Sequence, residues 1–83
     1  MNLIKQFHDE QNMDYRHLTN RLRLILREDF NSSIEVPKRT LEHYAAGDCY
    51  PRSRTVIQAL AKMCKVTPSE MSLSLKQNIK RTA

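Results

Sequence analysis

Apolar residues recur along this chain three and four positions apart, the spacing of a helix face, and strand-like alternation is scarce. The pattern predicts an all-α protein of five helices joined by short connections. The first helix is expected over about residues 2 to 11, with Leu3, Ile4 and Phe7 on its buried edge and His8, Asp9 and Glu10 toward water. Asn12 and Met13 turn the chain. Asp14 then suits the N-cap of a second helix, because its carboxylate accepts from first-turn amides that have no partner within the helix. That helix carries the stripe Tyr15, Leu18, Leu22, Ile25 and Leu26 and runs to about Glu28, with Arg16, Arg21, Arg23 and Arg27 on its other sides. Residues 29 to 36, DFNSSIEV, break the period at Asn31, Ser32 and Ser33 but keep Phe30, Ile34 and Val36, so a loop tied to the core is expected.

The next stretch, PKRTLEHYAAGDCYP at residues 37 to 51, is a short helix with one apolar seam, Leu41, Tyr44 and Ala45. Lys38, Arg39, Glu42 and His43 point elsewhere. Pro37 fits the first helical turn, where its missing N–H costs little, and Gly47, the only glycine, fits the left-handed residue that ends a helix. After a connector to Arg52, Ser53 is a candidate cap for a fourth helix whose stripe is Val56, Ile57, Leu60, Ala61 and Cys64. Thr67, Pro68 and Glu70 form a capping box with proline at the first helical position, and they open a fifth helix with Met71 and Leu75 inward. Residues 1 to 75 are thus expected to form one domain, and residues 76 to 83 a flexible basic tail.

Composition narrows the functions this frame can carry. With 83 residues there is room for one small core and no second domain. A formal charge of +5 and a sequence pI of about 9.6 favour a polyanionic partner. Cys49 and Cys64 are too far apart for a CxxC pair and lack ligand-spaced histidines, so neither zinc nor a disulfide framework is suggested, and one exposed and one core thiol are expected. His8 and His17 read as residues of a solvated helix surface, and Tyr44, Met63 and Met71 as core. No apolar run approaches the roughly 18 residues of a membrane span, and no signal-peptide layout is present, so a cytosolic, reducing setting is expected. Cys49 has no general base beside it in the sequence, so no catalytic residue, metal ligand or cofactor is expected.

The order of elements resembles the helix-turn-helix domain of the Cro and CI phage-repressor family, also called XRE-like. The resemblance is carried by VPKRTLEHYAAGDCYPRSRTVIQALAKMCKVTPSEM at residues 36 to 71, which is similar to that family's third helix, glycine turn, proline, fourth helix and short fifth helix without a gap. Upstream, LIKQFHDEQNMDYRHLTNRL at residues 3 to 22 is similar to its first two helices, with Leu18 and Thr19 at the usual Leu-Ala pair. The chain departs from the family between helices 2 and 3, where extra residues, Arg23 to Ile34 or so, replace a tight turn. They imply a longer second helix and an enlarged connection. A rival alignment makes 15 to 26 the first helix and 28 to 34 a short second one, leaving residues 1 to 12 as an added arm. Ala45 stands where the family often has an acidic or amide residue.

The resemblance implies a sequence-specific transcriptional regulator, a repressor, bacterial or phage-encoded and located at the nucleoid when bound. Its partner would be double-stranded DNA with a palindromic operator, contacted by a homodimer. Helix 37 to 46 would lie in the major groove, where residues near a helix start reach base edges first, so the base-contact candidates are Lys38, Arg39 and His43. Arg39 is the foremost, since its planar fork can bond guanine O6 and N7 together. Backbone contacts are expected from Tyr15, Arg16, Thr40, Arg52, Ser53 and Arg54, and the start of a helix beside Arg52 and Arg54 helps to hold phosphate. Glu42 is expected to pair with Lys38 rather than with cytosine, and Arg21, Arg23 and Arg27 to be plain surface charge. Two dimer surfaces are candidates: helix 5 with its tail, through Met71, Leu73, Leu75 and Ile79, or the segment from 23 to 36. An alternative class is an antitoxin-like or adaptor domain with DNA binding secondary, using Phe30 and Ile34 if they are exposed.

Overall fold

A computed structural model describes residues 3 to 77. The described chain is all-helical, in the order α1 (Leu3–Gln11), α2 (Tyr15–Asp29), α3 (Lys38–Ala46), α4 (Arg54–Cys64) and α5 (Pro68–Gln77). Most boundaries have a local chemical cause. Asp14 accepts the His17 amide at 2.9 Å and so caps α2. The Thr67 hydroxyl accepts the Glu70 amide at 3.1 Å while bonding the Glu70 carboxylate at 3.0 Å, completing the box that starts α5. Gly47, at φ 84°, ends α3, with its own amide and that of Asp48 returning to the carbonyls of Tyr44 and His43. Three other helix ends use left-handed residues that are not glycine: Asn12 after α1, Asn31 after α2 and Lys65 after α4. Asparagine tolerates that conformation through its short polar side chain, whereas Lys65 occupies it because the amides of Lys65 and Val66 close onto Lys62 and Ala61.

Some expected caps differ. Pro37 is the N-cap itself, in extended conformation at ψ 155°, and α3 begins one residue later. Ser53 occupies the N-cap position of α4 but makes no side-chain cap bond. α5 runs to Gln77, so the expected tail starting at residue 76 begins inside a helix; residues 78 to 83, Ile79 among them, lie outside those described.

The core is built from all five helices and the segment before α3. Ile4, Leu18, Leu22, Leu26, Leu41, Ala59, Leu60 and Met71 have no exposed surface, and Val36 anchors the α2–α3 connection beside them. Central in this packing is α4, which meets α1, α2 and α5. Contact on several sides explains why its buried set, Val56, Ala59, Leu60, Ala61 and Met63, is wider than a single stripe, while Ile57 and Cys64 are only partly buried. Burial pushes the Cys64 thiol up to about 12, so it stays protonated. α3 packs against α1 and α2, which hold it by Leu41 and Ala45, with Tyr44 half-buried against the same cluster.

The connection from α2 to α3 is the unusual part. α2 is one continuous helix of 15 residues, and residues 30 to 37 are irregular, so the longer second helix is observed and a separate helix over 28 to 34 is not. The Ser32 amide reaches back to the Leu26 carbonyl at 2.9 Å, and Ser32 Oγ accepts the Ile34 amide at 3.1 Å. Phe30 packs partly buried against the core, as an anchor of a tied loop should, whereas Ile34, expected as a second anchor, is exposed. Lys62 of α4 reaches Asp29 at 3.0 Å and ties down the end of α2.

Candidate nucleic-acid interface

The start of α3 projects from the protein with Lys38 and Arg39 exposed and Thr40 half-buried. Leu41 fixes the helix roll, because its complete burial turns positions 39, 42 and 43 away from the core, while Lys38, on the Leu41 side one turn earlier, is exposed at the helix start. Beside this helix lies an open groove of about 560 Å³ lined by Lys5 of α1, Tyr15 of α2, Arg39, Glu42 and His43 of α3, and Asp48 beyond the glycine turn. The fold thus brings together Tyr15, Arg39 and His43, three of the residues expected at the interface.

Each of these side chains is in a different state of readiness. Lys38 is paired with Glu42 at 3.2 Å, one helical turn along. His43 meets Asp48 at 3.1 Å through Nδ1, an arrangement possible only because Gly47 turns the chain back. Arg39 makes no hydrogen bond or ion pair with the described residues, so its whole fork is available. The Tyr15 ring stacks on His8, with centroids 4.3 Å apart and planes inclined by 14°. This stack fixes the tyrosine, and burial raises its phenol above the usual value. His8 is therefore a half-buried support for Tyr15, with Nδ1 3.0 Å from Asp9, instead of the expected solvated surface residue. Its part was not visible in the sequence because α1 and α2 must first be brought together.

Arg16 is exposed next to the Asp14 cap, whose carboxyl is held below its usual range chiefly by the His17 amide. Arg52 and Arg54 are exposed as well, but they do not line the groove beside α3. They line a second, larger one of about 850 Å³ between the start of α4 and α5. Ser53, half-buried between them, lines neither. Of the residues expected to form a dimer surface, Met71 and Leu75 are fully enclosed in the core and cannot meet a partner; Leu73, 56% exposed, can. Among the described residues no three His, Cys, Asp or Glu side chains gather as metal ligands. No described helix is long and apolar enough to cross a membrane. No family profile, curated protein or solved structure matches this chain.

Proposed function

We propose that this protein is a sequence-specific DNA-binding regulator of the helix-turn-helix kind that inserts the start of α3 into the major groove and represses by occupying an operator. The observation that carries this reading is the presentation of Arg39: a guanidinium with no partner among the described residues, near the exposed start of a nine-residue helix whose other face is locked by Leu41 and Ala45. A bidentate contact from such a side chain to guanine discriminates by about 1–3 kcal/mol. Lys38 and His43 flank it as further base contacts once Glu42 and Asp48 release or share them. Tyr15, Arg16 and Thr40 would hold the backbone near the reading helix, and Arg52, Ser53 and Arg54 would add phosphate contacts from the start of α4.

One nine-residue helix contacts few bases, so the reading includes a homodimer on a two-fold-related site. Selection of bound sequences from a random duplex pool, run at low and high salt, tests it. An enriched palindrome is expected. Recovery of unrelated sequences with steep salt dependence would leave only generic attraction to a polyanion.

A second reading, a protein-binding adaptor or antitoxin-like domain, is favoured by one observation: Leu24 and Ile34 remain 55% and 39% exposed at the enlarged α2–α3 region. Single isolated apolar residues are normal on protein surfaces, which keeps this reading second. Loss of a co-purifying partner in Ile34→Ser with duplex selection intact would promote it.

A further inference from the structure

The groove between the start of α4 and α5 differs from the one beside the reading helix in both charge and floor. Arg52, Arg54 and Lys76 line it; among the described residues no carboxylate does, and none of the three cations has a hydrogen bond or ion pair. Its apolar lining includes Ile57, Tyr50 and the exposed Leu73. The wall is fixed: the Tyr50 hydroxyl and Ser72 Oγ lie 2.8 Å apart, which joins the connector before α4 to α5. Three unpaired cations around an apolar trough call for a ligand that is acidic and apolar at once. A duplex backbone satisfies the cations but has nothing to place against Ile57 and Leu73. A second copy of this chain seated groove to groove would set the same three cations against each other.

We infer that this groove docks an acidic segment of another protein, with one or two large apolar side chains seated on Ile57 and Leu73 and carboxylates meeting Arg52, Arg54 and Lys76. Apolar anchors supply the larger part of such binding, and the surrounding charges set orientation and association rate. Because Arg52 and Arg54 are also the proposed phosphate anchors, the segment and a duplex compete for them. This coupling rests on the DNA-binding reading; the docking does not.

The test uses the full chain and a short fluorescein-labelled peptide of repeating Glu-Leu-Glu-Phe, followed by anisotropy, with amide shifts in 15N spectra locating the site. Saturable binding is expected, with the largest shifts around Ile57 and Leu73. Leu73→Gln, which stays helical and alters only an exposed position, is expected to weaken binding by about tenfold or more. The double variant Arg54→Gln, Lys76→Gln should weaken it as well. Peptides with Gln for Glu, or Ser for Leu and Phe, should each bind less. Equal affinity for the Ser peptide, or indifference to Leu73→Gln in a variant of unchanged circular dichroism, overturns the proposal in favour of generic charge attraction. Duplex DNA shifting Ile57 and Leu73 as strongly as the peptide overturns it in favour of a nucleic-acid surface. Peptide binding in a protein that selects no duplex leaves the docking site standing and removes only the competition.

Discussion

The two basic surfaces are made of similar residues in opposite circumstances. Beside α3, Lys38 is held by Glu42 and His43 by Asp48, while Arg39 has no partner among the described residues. Between α4 and α5, Arg52, Arg54 and Lys76 face no carboxylate of the groove. A paired cation has most of its field cancelled by its partner, whereas an unpaired one keeps it. Under the proposed function, the first surface, with two cations held in place around one available fork, would choose among targets and the second would attract one, although a count of lysines and arginines would rank them alike.

The comparison is broken most directly at Arg39. Arg39→Ala should lose about 1–3 kcal/mol of discrimination at one base position while leaving other positions as they were, read by repeating the duplex selection with the variant. Equal losses on every sequence would put Arg39 among the attracting cations and erase the distinction. Arg54→Ala is expected to do the reverse, weakening all duplexes alike and reducing the slope of log affinity against log salt by about 1.

Stability offers a control at a residue that lines neither groove. Thr19 Oγ1 is buried without a hydrogen-bond partner among the described residues, and Thr19→Ala removes that hydroxyl while improving helix propensity. Thermal melts should show a gain of about 0.5–1 kcal/mol with duplex selection unchanged; a loss would mean that the threonine methyl matters more to packing than its orphan oxygen. Glu42→Gln should change stability by less than about 0.5 kcal/mol but free Lys38, steepening the salt dependence of duplex binding. If the salt slope does not move, the ion pair is not what restrains Lys38.

The smallest effect is at the Asp14 cap. Its carboxyl is lowered in the folded protein, chiefly by the His17 amide, so its contribution is fully present above the usual value of 3.8 and fades as pH falls below it. Asp14→Asn should therefore flatten the acid limb of stability below that value and leave it nearly unchanged at neutral pH, where asparagine caps almost as well. An identical acid limb in both proteins would remove the cap from the list of acid-sensitive sites.

Much of the fold was legible because helix boundaries are written in local chemistry. Asp14, Gly47 and the Thr67–Glu70 box each act within a few residues of themselves, so the sequence carries their consequence directly. Lys65 was opaque for the converse reason: nothing in a lysine announces a left-handed residue, and only the closure of α4 requires one. Ile34, expected as an anchor, is exposed, and Met71 and Leu75, inward as their spacing predicts, are closed to the dimer surface also expected of them, because exposure depends on how elements meet and not on period alone. At the candidate interface, Arg39 and the Lys38–Glu42 pair follow from spacing along one helix. The His43–Asp48 contact, the His8 stack on Tyr15 and the joining of Arg52 with Lys76 in one groove require turns and packing that no single stretch encodes.

The Leu3 amide donates to Ser74 Oγ at 3.0 Å across 71 positions of sequence. The first turn of α1 is thus completed by a side chain of α5, and α1 is also one of the two helices on which α3 rests. α1 also packs on α3 and α4, so its body is held by helices in the middle of the chain while its first turn depends on α5. A chain cut before α5 would keep the packing of α3 on α1 and α2 but lose the acceptor for the Leu3 amide, loosening the start of a helix that supports α3.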